Sequence, residues 1–217
     1  MLFQAEENYI KIIFKIESES GGEASTNAIA EAAQTKAASV SDMLRKLSQK
    51  GLINYVKYQG VTLTEEGRRE ALAIIRKHRL WEVFLVNKLG YKWDEIHDIA
   101  EQLEHIQSTD LIERLDAFLE YPQFDPHGDP IPNARGEYAQ KKQVFLSEME
   151  PGKKGTIAGV KDSSTVFLQY LDKIGVAIGS PFEVLDKIEY DHSVELRVEG
   201  RKMFISRDVA QNLYSIE

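Results

Sequence analysis

The spacing and type of the apolar residues change near Pro151, and this change limits the folds that the chain can adopt. Up to about residue 120, apolar residues recur every three or four positions, which is the spacing of amphipathic helices. After Pro151, glycines separate short runs rich in β-branched residues, such as TIAGV and SVELRV, which are typical of strands. A segment rich in Pro, Gly and Asp, YPQFDPHGDPIPNARG, lies between the two parts. We therefore predict a mainly α-helical protein with a small C-terminal β-barrel.

The N-terminal third has the pattern of a winged helix-turn-helix. An amphipathic helix over NYIKIIFKI precedes a short second helix, for which Ser25 is an N-cap candidate. A third helix, over TKAASVSDMLRKLSQKG, stops at Gly51. The sequence LINYVKYQGVTLT then alternates residue types around Gln59 and Gly60, as two strands and a turn do. Two short helices with a tight connection, followed by such a hairpin, indicate this motif.

Three helical segments follow the hairpin and complete the α-helical part. One begins at TEEG and ends near Gly90, and the others occupy about 94–107 and 109–120. The predicted domains are a winged helix at 1–72, a helical domain at 73–138, a linker at 139–150 and a β-rich domain at 151–217.

Composition excludes several classes of protein. The chain has no cysteine, so disulfides, thiolate zinc sites and a thiol nucleophile are all excluded. The N-terminus carries acidic residues where a signal peptide needs basic ones, and no apolar run approaches the roughly 20 residues that span a bilayer. We expect a cytoplasmic protein without a membrane partner.

The net charge of -8 is unevenly distributed. Residues 1–80 contain 12 basic and 10 acidic residues, a net of +2, so the remainder carries -10. The first third is therefore the part that can face phosphates. On the third helix and the wing, the predicted DNA-binding residues are Lys36, Ala38, Ser39, Ser41, Asp42, Arg45, Lys46 and Lys57. A solvated helix, or a winged helix that contacts proteins, is the alternative interpretation.

The stretch IHDIAEQLEHI, residues 96–106, concentrates titratable side chains on one helix face. At about 100° per residue, four of them share a sector of about 100°, opposite the apolar side chains. These four are His97, Glu101, Glu104 and His105. On the preceding helix, His78 and Glu82 share a face at i and i+4. Imidazoles and carboxylates without sulfur suit Mn, Fe, Co or Zn, so the pattern indicates a metal site.

Two other interpretations of this stretch remain. It is either a polar helix face with incidental histidines, or part of a metallohydrolase in which Glu101 or Glu104 is the general base. The chain lacks an HExxH pattern, a Gly-rich phosphate loop and a GxSxG elbow. We therefore do not predict an enzyme.

Three motifs, in this order, resemble the diphtheria-toxin-repressor family of metal-dependent transcriptional regulators. They are RKHRLWE (76–82), IHDIAEQLEH (96–105) and DPHGDPIP (125–132). The resemblance extends over nearly the whole chain. It implies an N-terminal winged helix-turn-helix, a helical dimerisation domain that carries the metal sites, and a C-terminal SH3-like module similar to FeoA.

The resemblance also implies two metal sites. Glu101, Glu104 and His105 match the primary site, with residue 8, here Asn8, as a further ligand. The ancillary site is matched by His78, Glu82 and His97, with Asp162 and Asp125 as candidate ligands from the SH3-like module and the DPHGD loop.

The residues at positions 101, 8 and 11 bear on the metal. In the family's iron-sensing branch, the first two positions are cysteine and methionine, whereas manganese sensors have glutamate and aspartate there. Glu101 follows the manganese pattern, and Asn8 departs from both. Lys11 stands where some two-metal manganese sensors have glutamate. The resemblance thus implies a homodimeric repressor that responds to Mn(II), binds a double-stranded operator and controls metal-uptake genes, with Fe(II) as the alternative metal.

Overall fold

The structure, a computed structural model, describes residues 2–56, 60–138 and 142–216. It divides into two compact units, each made of several chain segments. The first unit comprises Met1–His78, Glu101–Ile112 and Pro132–Glu137, and the second comprises Arg79–Ala100, Glu113–Ile131 and Tyr138–Glu217. In the described ranges, no helix combines the length and apolar character needed to cross a membrane.

The first unit contains the predicted winged helix-turn-helix. Its elements are α1 (Gln4–Ser20), α2 (Thr26–Ala32), α3 (Ala37–Gln49), β1 (Ile53–Tyr55), β2 (Val61–Leu63) and the beginning of α4 (Glu65–Leu89). The β1 and β2 strands pair in antiparallel orientation and form the wing. Ser25 caps α2, because its side chain accepts a hydrogen bond from the Ala28 backbone N–H at 3.1 Å. The prediction for this part of the chain is confirmed.

Helix α1 is fixed by its apolar side and by its polar contacts. Ile10 and Ile13 are fully buried in a core shared with residues of α2, α3 and β2. Near the other end of α1, Glu17 accepts hydrogen bonds from the Leu63 backbone N–H at 2.8 Å and from Arg68 at 2.9 Å. The helix is therefore anchored along its length, which determines where its first turns place their polar side chains.

The helical segments after the wing differ in length from their predictions. Helix α4 ends at Leu89, just before Gly90, which has a φ of +74° and stops the helix as predicted. Helices α5 (His97–Leu103) and α6 (Thr109–Phe118) are shorter than the predicted ranges. Periodicity identified the polar face of the segment but not its end, so Glu104 and His105 lie in the turn after α5.

The second unit includes the C-terminal β-domain, and its fold class is confirmed. The strands are β3 (Gln143–Phe145), β4 (Lys154–Thr156), β5 (Gly159–Val160), β6 (Pro181–Lys187), β7 (Val194–Val198), β8 (Arg201–Ile205) and β9 (Leu213–Ile216). They form a three-stranded sheet in the order β3-β9-β5 and a four-stranded sheet in the order β4-β6-β7-β8. Side chains of both sheets, such as Leu213 and Leu196, are buried in one core.

The helical parts of this domain are not among the predicted elements. Helix α7 (Thr165–Ile174) buries Leu168 and Leu171, and α8 (Arg207–Asn212) is a short helix before β9. Within the predicted linker 139–150, residues 139–141 lie outside the described residues. The rest of that range includes β3 and a short 3-10 helix, Leu146–Glu148.

Candidate metal centres and DNA-binding surface

Glu104 occupies the centre of a polar cluster in the first unit. Its side chain has no solvent exposure. His78, on α4, places Nδ1 2.6 Å from Glu104 Oε2, and Lys11, on α1, donates to Glu104 Oε1 at 2.6 Å. Burial alone would raise the pKa of the Glu104 carboxyl, but the hydrogen bond from His78 and the charge of Lys11 hold that pKa below its usual range. A buried carboxylate anion therefore lies between two helices that are distant in sequence.

Glu101 adds a second carboxylate to the cluster. Its Oε2 atom lies 2.5 Å from Lys11 Nζ and 3.9 Å from His78 Nδ1. One ligand atom each of His78, Glu101 and Glu104 lie within 4.8 Å of one another. The structure thus brings Glu101 and Glu104 together as predicted and adds His78, which the sequence assigned to the other metal site.

Glu7 is a member of this cluster that the sequence analysis missed. The residue is buried, and its Oε2 atom lies 2.5 Å from His105 Nδ1. Its Oε1 atom accepts a hydrogen bond from Gln107 Nε2 at 2.7 Å and lies 3.9 Å from Lys77 Nζ. The only sequence signal is the position of Glu7 beside Asn8 in EENYI. A carboxylate that binds one ring nitrogen of a histidine orients the ring and directs the other nitrogen towards a metal.

Two buried polar atoms in this unit test whether the residues fit a metal ion. His105 Nε2 and Asn8 Oδ1 are both buried without a hydrogen-bond partner in the described part of the chain. A buried polar atom left unpaired costs about 1–3 kcal/mol. The side chain of His105 is held by Glu7, so its Nε2 atom is presented as a metal ligand would be. His105 Nε2 lies 3.9 Å from Glu104 Oε1. Carboxylate and amide oxygens with an imidazole nitrogen are donor types that fit a divalent cation.

A second cluster lies in the second unit. Glu82, Asp125 and His127 are all buried, and one ligand atom of each lies within 4.8 Å of the others. His127 Nε2 donates to the Trp93 carbonyl oxygen at 2.8 Å, and the two rings stack with centroids 6.3 Å apart. Nδ1 is then the ring nitrogen that faces the carboxylates, 3.7 Å from Glu82 Oε2. The sequence predicted Glu82 and Asp125 as ligands but missed His127, although it lies in the motif DPHGDPIP.

Burial and the charges within this cluster shift the pKa values of two of its members. Burial, together with the charges of Asp129 and Glu82, raises the pKa of Asp125 to about 7 against the opposing charge of Arg79. Burial lowers the pKa of His127, but its hydrogen bond and charge interaction with Glu82 outweigh this and raise that pKa to about 9. Metal binding requires the deprotonated forms, so a metal bound here would release protons.

The DPHGD loop is held tightly around these ligands. Asp125 Oδ1 accepts hydrogen bonds from the backbone N–H groups of His127 and Asp129, at 2.8 and 3.0 Å. Gly128 has a φ of +94°, and a Cβ there would lie 2.2 Å from the carbonyl oxygen of Ala158. The Tyr214 hydroxyl donates to the Gly128 carbonyl oxygen at 2.9 Å. The loop is thus packed against the β-domain at a point where only glycine fits.

The remaining predicted metal ligands occupy different places. His97 has Nδ1 3.8 Å from Glu82 Oε1, while its side chain is 61% exposed, so it lies at the edge of the second cluster. His78 belongs to the first unit, whereas Glu82 and His97 belong to the second. Asp162 is half-buried and accepts a hydrogen bond from the Ser164 backbone N–H at 2.8 Å. Its role as a metal ligand stays a prediction.

Helix α3 exposes the polar surface predicted to bind DNA. The exposed members are Lys36, Ala38, Ser39, Asp42, Arg45 and Lys46. Ser41 is half-buried, and its hydroxyl donates to the Ala37 carbonyl oxygen at 3.0 Å. Arg45 forms an exposed ion pair with Asp42 at 2.8 Å. Lys57 lies outside the described residues. A positive helix surface beside a wing is the arrangement that places a helix in the major groove.

Comparison with known proteins supports the presence of a DNA-binding part and a metal-binding part in this chain. The family model described as "Iron dependent repressor, N-terminal DNA binding domain" matches residues 1–61. The model described as "Iron dependent repressor, metal binding and dimerisation domain" matches residues 64–133, and the FeoA domain matches residues 144–215. DNA binding, metal binding and dimerisation are therefore assigned to consecutive parts of the chain.

Individual relatives align along most of the chain. The iron-dependent repressor IdeR of Mycobacterium leprae is 35% identical over 158 residues, which are 70% of this chain and 68% of that protein. The diphtheria toxin repressor of Corynebacterium diphtheriae is 26% identical over 98% of this chain and 96% of its own length. A solved manganese-dependent transcriptional repressor in complex with manganese is 38% identical, with a TM-score of 0.85 and coverage of 98% of this chain and 99% of that one. The chain belongs to the diphtheria-toxin-repressor family.

Membership of the diphtheria-toxin-repressor family confirms the resemblance and the type of protein. The chain is a metal-dependent, DNA-binding transcriptional repressor and not an enzyme. The metallohydrolase alternative is therefore wrong. The assignments of individual DNA-binding and metal-binding residues stay predictions.

Proposed function

We propose that this repressor responds to Mn(II) through a primary site formed by Asn8, His78, Glu101, Glu104 and His105. The observation that carries the proposal is the pair of buried unpaired atoms, Asn8 Oδ1 and His105 Nε2, in the unit that holds the buried Glu104 carboxylate. A donor set of carboxylates, an amide oxygen and imidazoles suits Mn(II), which favours oxygen ligands over sulfur.

Fe(II) is the alternative metal, and the relatives support both. One solved relative is named a manganese-dependent repressor, while IdeR is named an iron-dependent repressor. Manganese is favoured because the chain has no cysteine to supply a thiolate ligand, and the predicted cysteine position of the iron-sensing branch is occupied by Glu101. The resulting proposal is a repressor of metal-uptake genes in the cytoplasm, where its operator lies.

The mechanism follows from the elements that carry the primary site. Asn8 and Glu7 lie on α1, which packs under the recognition helix α3, whereas Glu104 and His105 lie in the turn after α5. A bound cation would supply a positive charge that holds these elements together. This would fix the position of α3 in each protomer and thereby favour correctly spaced recognition helices. A coupling free energy of about 1–3 kcal/mol changes operator affinity by roughly 5- to 150-fold.

The exposed apolar side chains of the second unit support a homodimer. Leu89, Phe118 and Tyr121 are 55%, 59% and 68% exposed. Phe118 also contacts Phe84, with ring centroids 6.4 Å apart, so α4 and α6 share an apolar surface. Exposed apolar patches of this kind mark interaction sites. We assign dimerisation to this surface of the helical domain, which we place at residues 73–138.

Glu82, Asp125 and His127 form a second proposed metal site. The site has two carboxylates and one imidazole whose tautomer is fixed by the Trp93 carbonyl. His97 and Asp162 are candidates to complete its coordination. Because the ligands come from α4 and from the loop packed on the β-domain, we infer that this site stabilises the second unit when a metal is bound.

Operator binding with defined metals tests the proposed function. The probe is a DNA duplex selected from a random library by the protein in the presence of Mn(II) and Fe(II). Fluorescence anisotropy in chelator, Mn(II), anaerobic Fe(II) and Zn(II) should show the largest gain in affinity with Mn(II). A larger gain with Fe(II) would favour the alternative metal. Equal affinity in chelator and in every metal would contradict metal control while leaving DNA binding intact.

Arg45→Ala should weaken operator binding by roughly 5- to 150-fold without changing metal content, because a base or phosphate contact of arginine is worth about 1–3 kcal/mol. The ion pair with Asp42 is exposed, so its loss should have little effect on stability. Arg69→Ala is the matched control, since Arg69 forms a similar exposed pair with Glu66 on α4. Equal losses in the two variants would show that α3 is not the recognition helix.

A further inference from the structure

The ammonium group of Lys11 lies between the two carboxylates of the proposed primary site. Its Nζ atom lies 2.5 Å from Glu101 Oε2 and 2.6 and 2.8 Å from the two carboxylate oxygens of Glu104. The side chain of Lys11 is 21% exposed, and that of Glu104 is completely buried. Three carboxylate oxygens around one ammonium nitrogen form a small cation site that the chain itself fills.

The same oxygens cannot serve Lys11 and a metal at once. A divalent cation binds carboxylate oxygens at about 2.0–2.6 Å, so a cation held by both carboxylates would lie close to the position of Nζ. Two positive charges at such a separation repel each other strongly in a buried environment. Lys11 must therefore move away from Glu101 and Glu104 before the two carboxylates can bind the same metal ion.

Lys77, another basic residue of the first unit, has a different position. Lys77 Nζ lies 3.9 Å from Glu7 Oε1 and 3.5 Å from the Ile106 carbonyl oxygen. It faces the carboxylate that orients His105 and can remain there when a metal binds. Lys11, by contrast, interacts directly with both carboxylates proposed to be ligands. Competition with the metal is therefore expected of Lys11 and not of Lys77.

We propose that Lys11 is an internal competitor of the metal, whose displacement sets the metal concentration at which the repressor switches. This inference rests on the proposed function, because it concerns the same primary site. Without metal, the ammonium neutralises part of the charge of the buried Glu104 carboxylate and of the half-buried Glu101 carboxylate. Metal binding exchanges this monovalent group for a divalent cation, and the apparent metal affinity is reduced by the stability of the lysine contacts.

Removal of the Lys11 charge should tighten metal binding. The test titrates Mn(II) into full-length protein with Glu82→Gln, which weakens the second site, and measures binding by competition with a fluorescent chelator. Lys11→Met should lower the apparent Kd of the primary site about tenfold or more, because a largely buried ion pair no longer has to be broken. Lys11→Arg keeps the charge and should stay within about threefold of the parent.

Lys15→Met provides a control on the same helix. Lys15 is 75% exposed, and its Nζ atom lies 4.0 Å from Glu19, so this substitution should leave the Mn(II) affinity unchanged. If Lys11→Met does not fold without metal, Lys11→Gln retains a hydrogen-bond donor without the charge and should tighten binding in the same direction. An unchanged or weaker Mn(II) affinity in both neutral variants would overturn the proposal.

A second measurement separates this inference from the proposed function. The operator affinity of the wild-type protein and of Lys11→Met is followed as a function of free Mn(II). If Lys11 competes, the midpoint of the switch should move to a lower Mn(II) concentration by the same factor as the Kd. A wild-type switch with an unmoved midpoint in Lys11→Met would overturn the competition alone. Tighter Mn(II) binding in Lys11→Met without any effect of metal on operator binding would support the competition and contradict the proposed function.

Discussion

Glu104→Gln should abolish the metal-dependent gain in operator affinity, which we expect to be roughly 5- to 150-fold in the wild-type protein. The substitution preserves the size of the side chain but removes the charge of the only primary-site carboxylate with no solvent exposure among the described residues. It also replaces a strong metal ligand by a weak one. Fluorescence anisotropy in chelator and in Mn(II) measures the gain.

The Glu104 experiment needs evidence that the variant is folded. Lys11 retains Glu101 at 2.5 Å as an ionic partner, so its ammonium is not left alone in the site. Circular dichroism should therefore show wild-type helix content, and operator affinity in chelator should be near that of the wild type. Glu19→Gln makes the same change at an exposed position of α1, where Glu19 pairs weakly with Lys15, and should switch normally. A Glu104→Gln protein that still responds fully to Mn(II) would refute the assignment of the primary site.

Gly128→Ala should destabilise the second unit far more than Gly152→Ala. Both glycines have a similar positive φ, +94° and +87°, so both variants carry the cost of a left-handed residue, about 1–2 kcal/mol. A Cβ at Gly128 would lie 2.2 Å from the Ala158 carbonyl oxygen, whereas a Cβ at Gly152 has nothing within 4 Å. The Gly128 variant should therefore lose about 1–3 kcal/mol more than the control, as expected for overpacking against backbone.

Urea unfolding of both glycine variants measures this difference in the free energy of unfolding. Gly128→Ala should also weaken Mn(II) binding at Glu82, Asp125 and His127, because Gly128 directly follows one ligand and its carbonyl is held by Tyr214. Equal destabilisation by the two substitutions would show that the DPHGD loop moves away from the β-domain at little cost. That result would contradict a rigid loop at the proposed second metal site.

The sequence predicted the elements of the fold better than the ends of its helices. The apolar period and Gly51 were sufficient for the winged helix, because a helix face must be buried and a glycine readily ends it. The end of α5 was not predicted, since Glu104 and His105 continue the same period after the helix stops at Leu103. Helix α7 was not predicted either, because its short apolar pattern lies among glycine-rich strands.

Residue spacing predicted metal ligands that are close in sequence, whereas the distant candidates Asn8 and Asp125 came only from the family resemblance. Glu101 and Glu104 share a helix-like spacing, so their proximity follows from the local structure. Glu7 and His127 were missed because their partners, His105 and Glu82, lie 98 and 45 positions away. Only the tertiary fold brings such residues together. The contact between His78 and Glu104 was not predicted for the same reason.

The position of helix α1 affects how the metal response of this repressor can change during evolution. The inner side of α1, at Ile10 and Ile13, is part of the core that it shares with α3. Asn8 and Lys11, on the same helix, belong to the proposed primary site. A core substitution that shifts α1 slightly would therefore alter the geometry of the metal ligands without touching any of them. The sensitivity of the regulator can thus drift through conservative apolar changes, so close relatives with identical ligands need not respond at the same metal concentration.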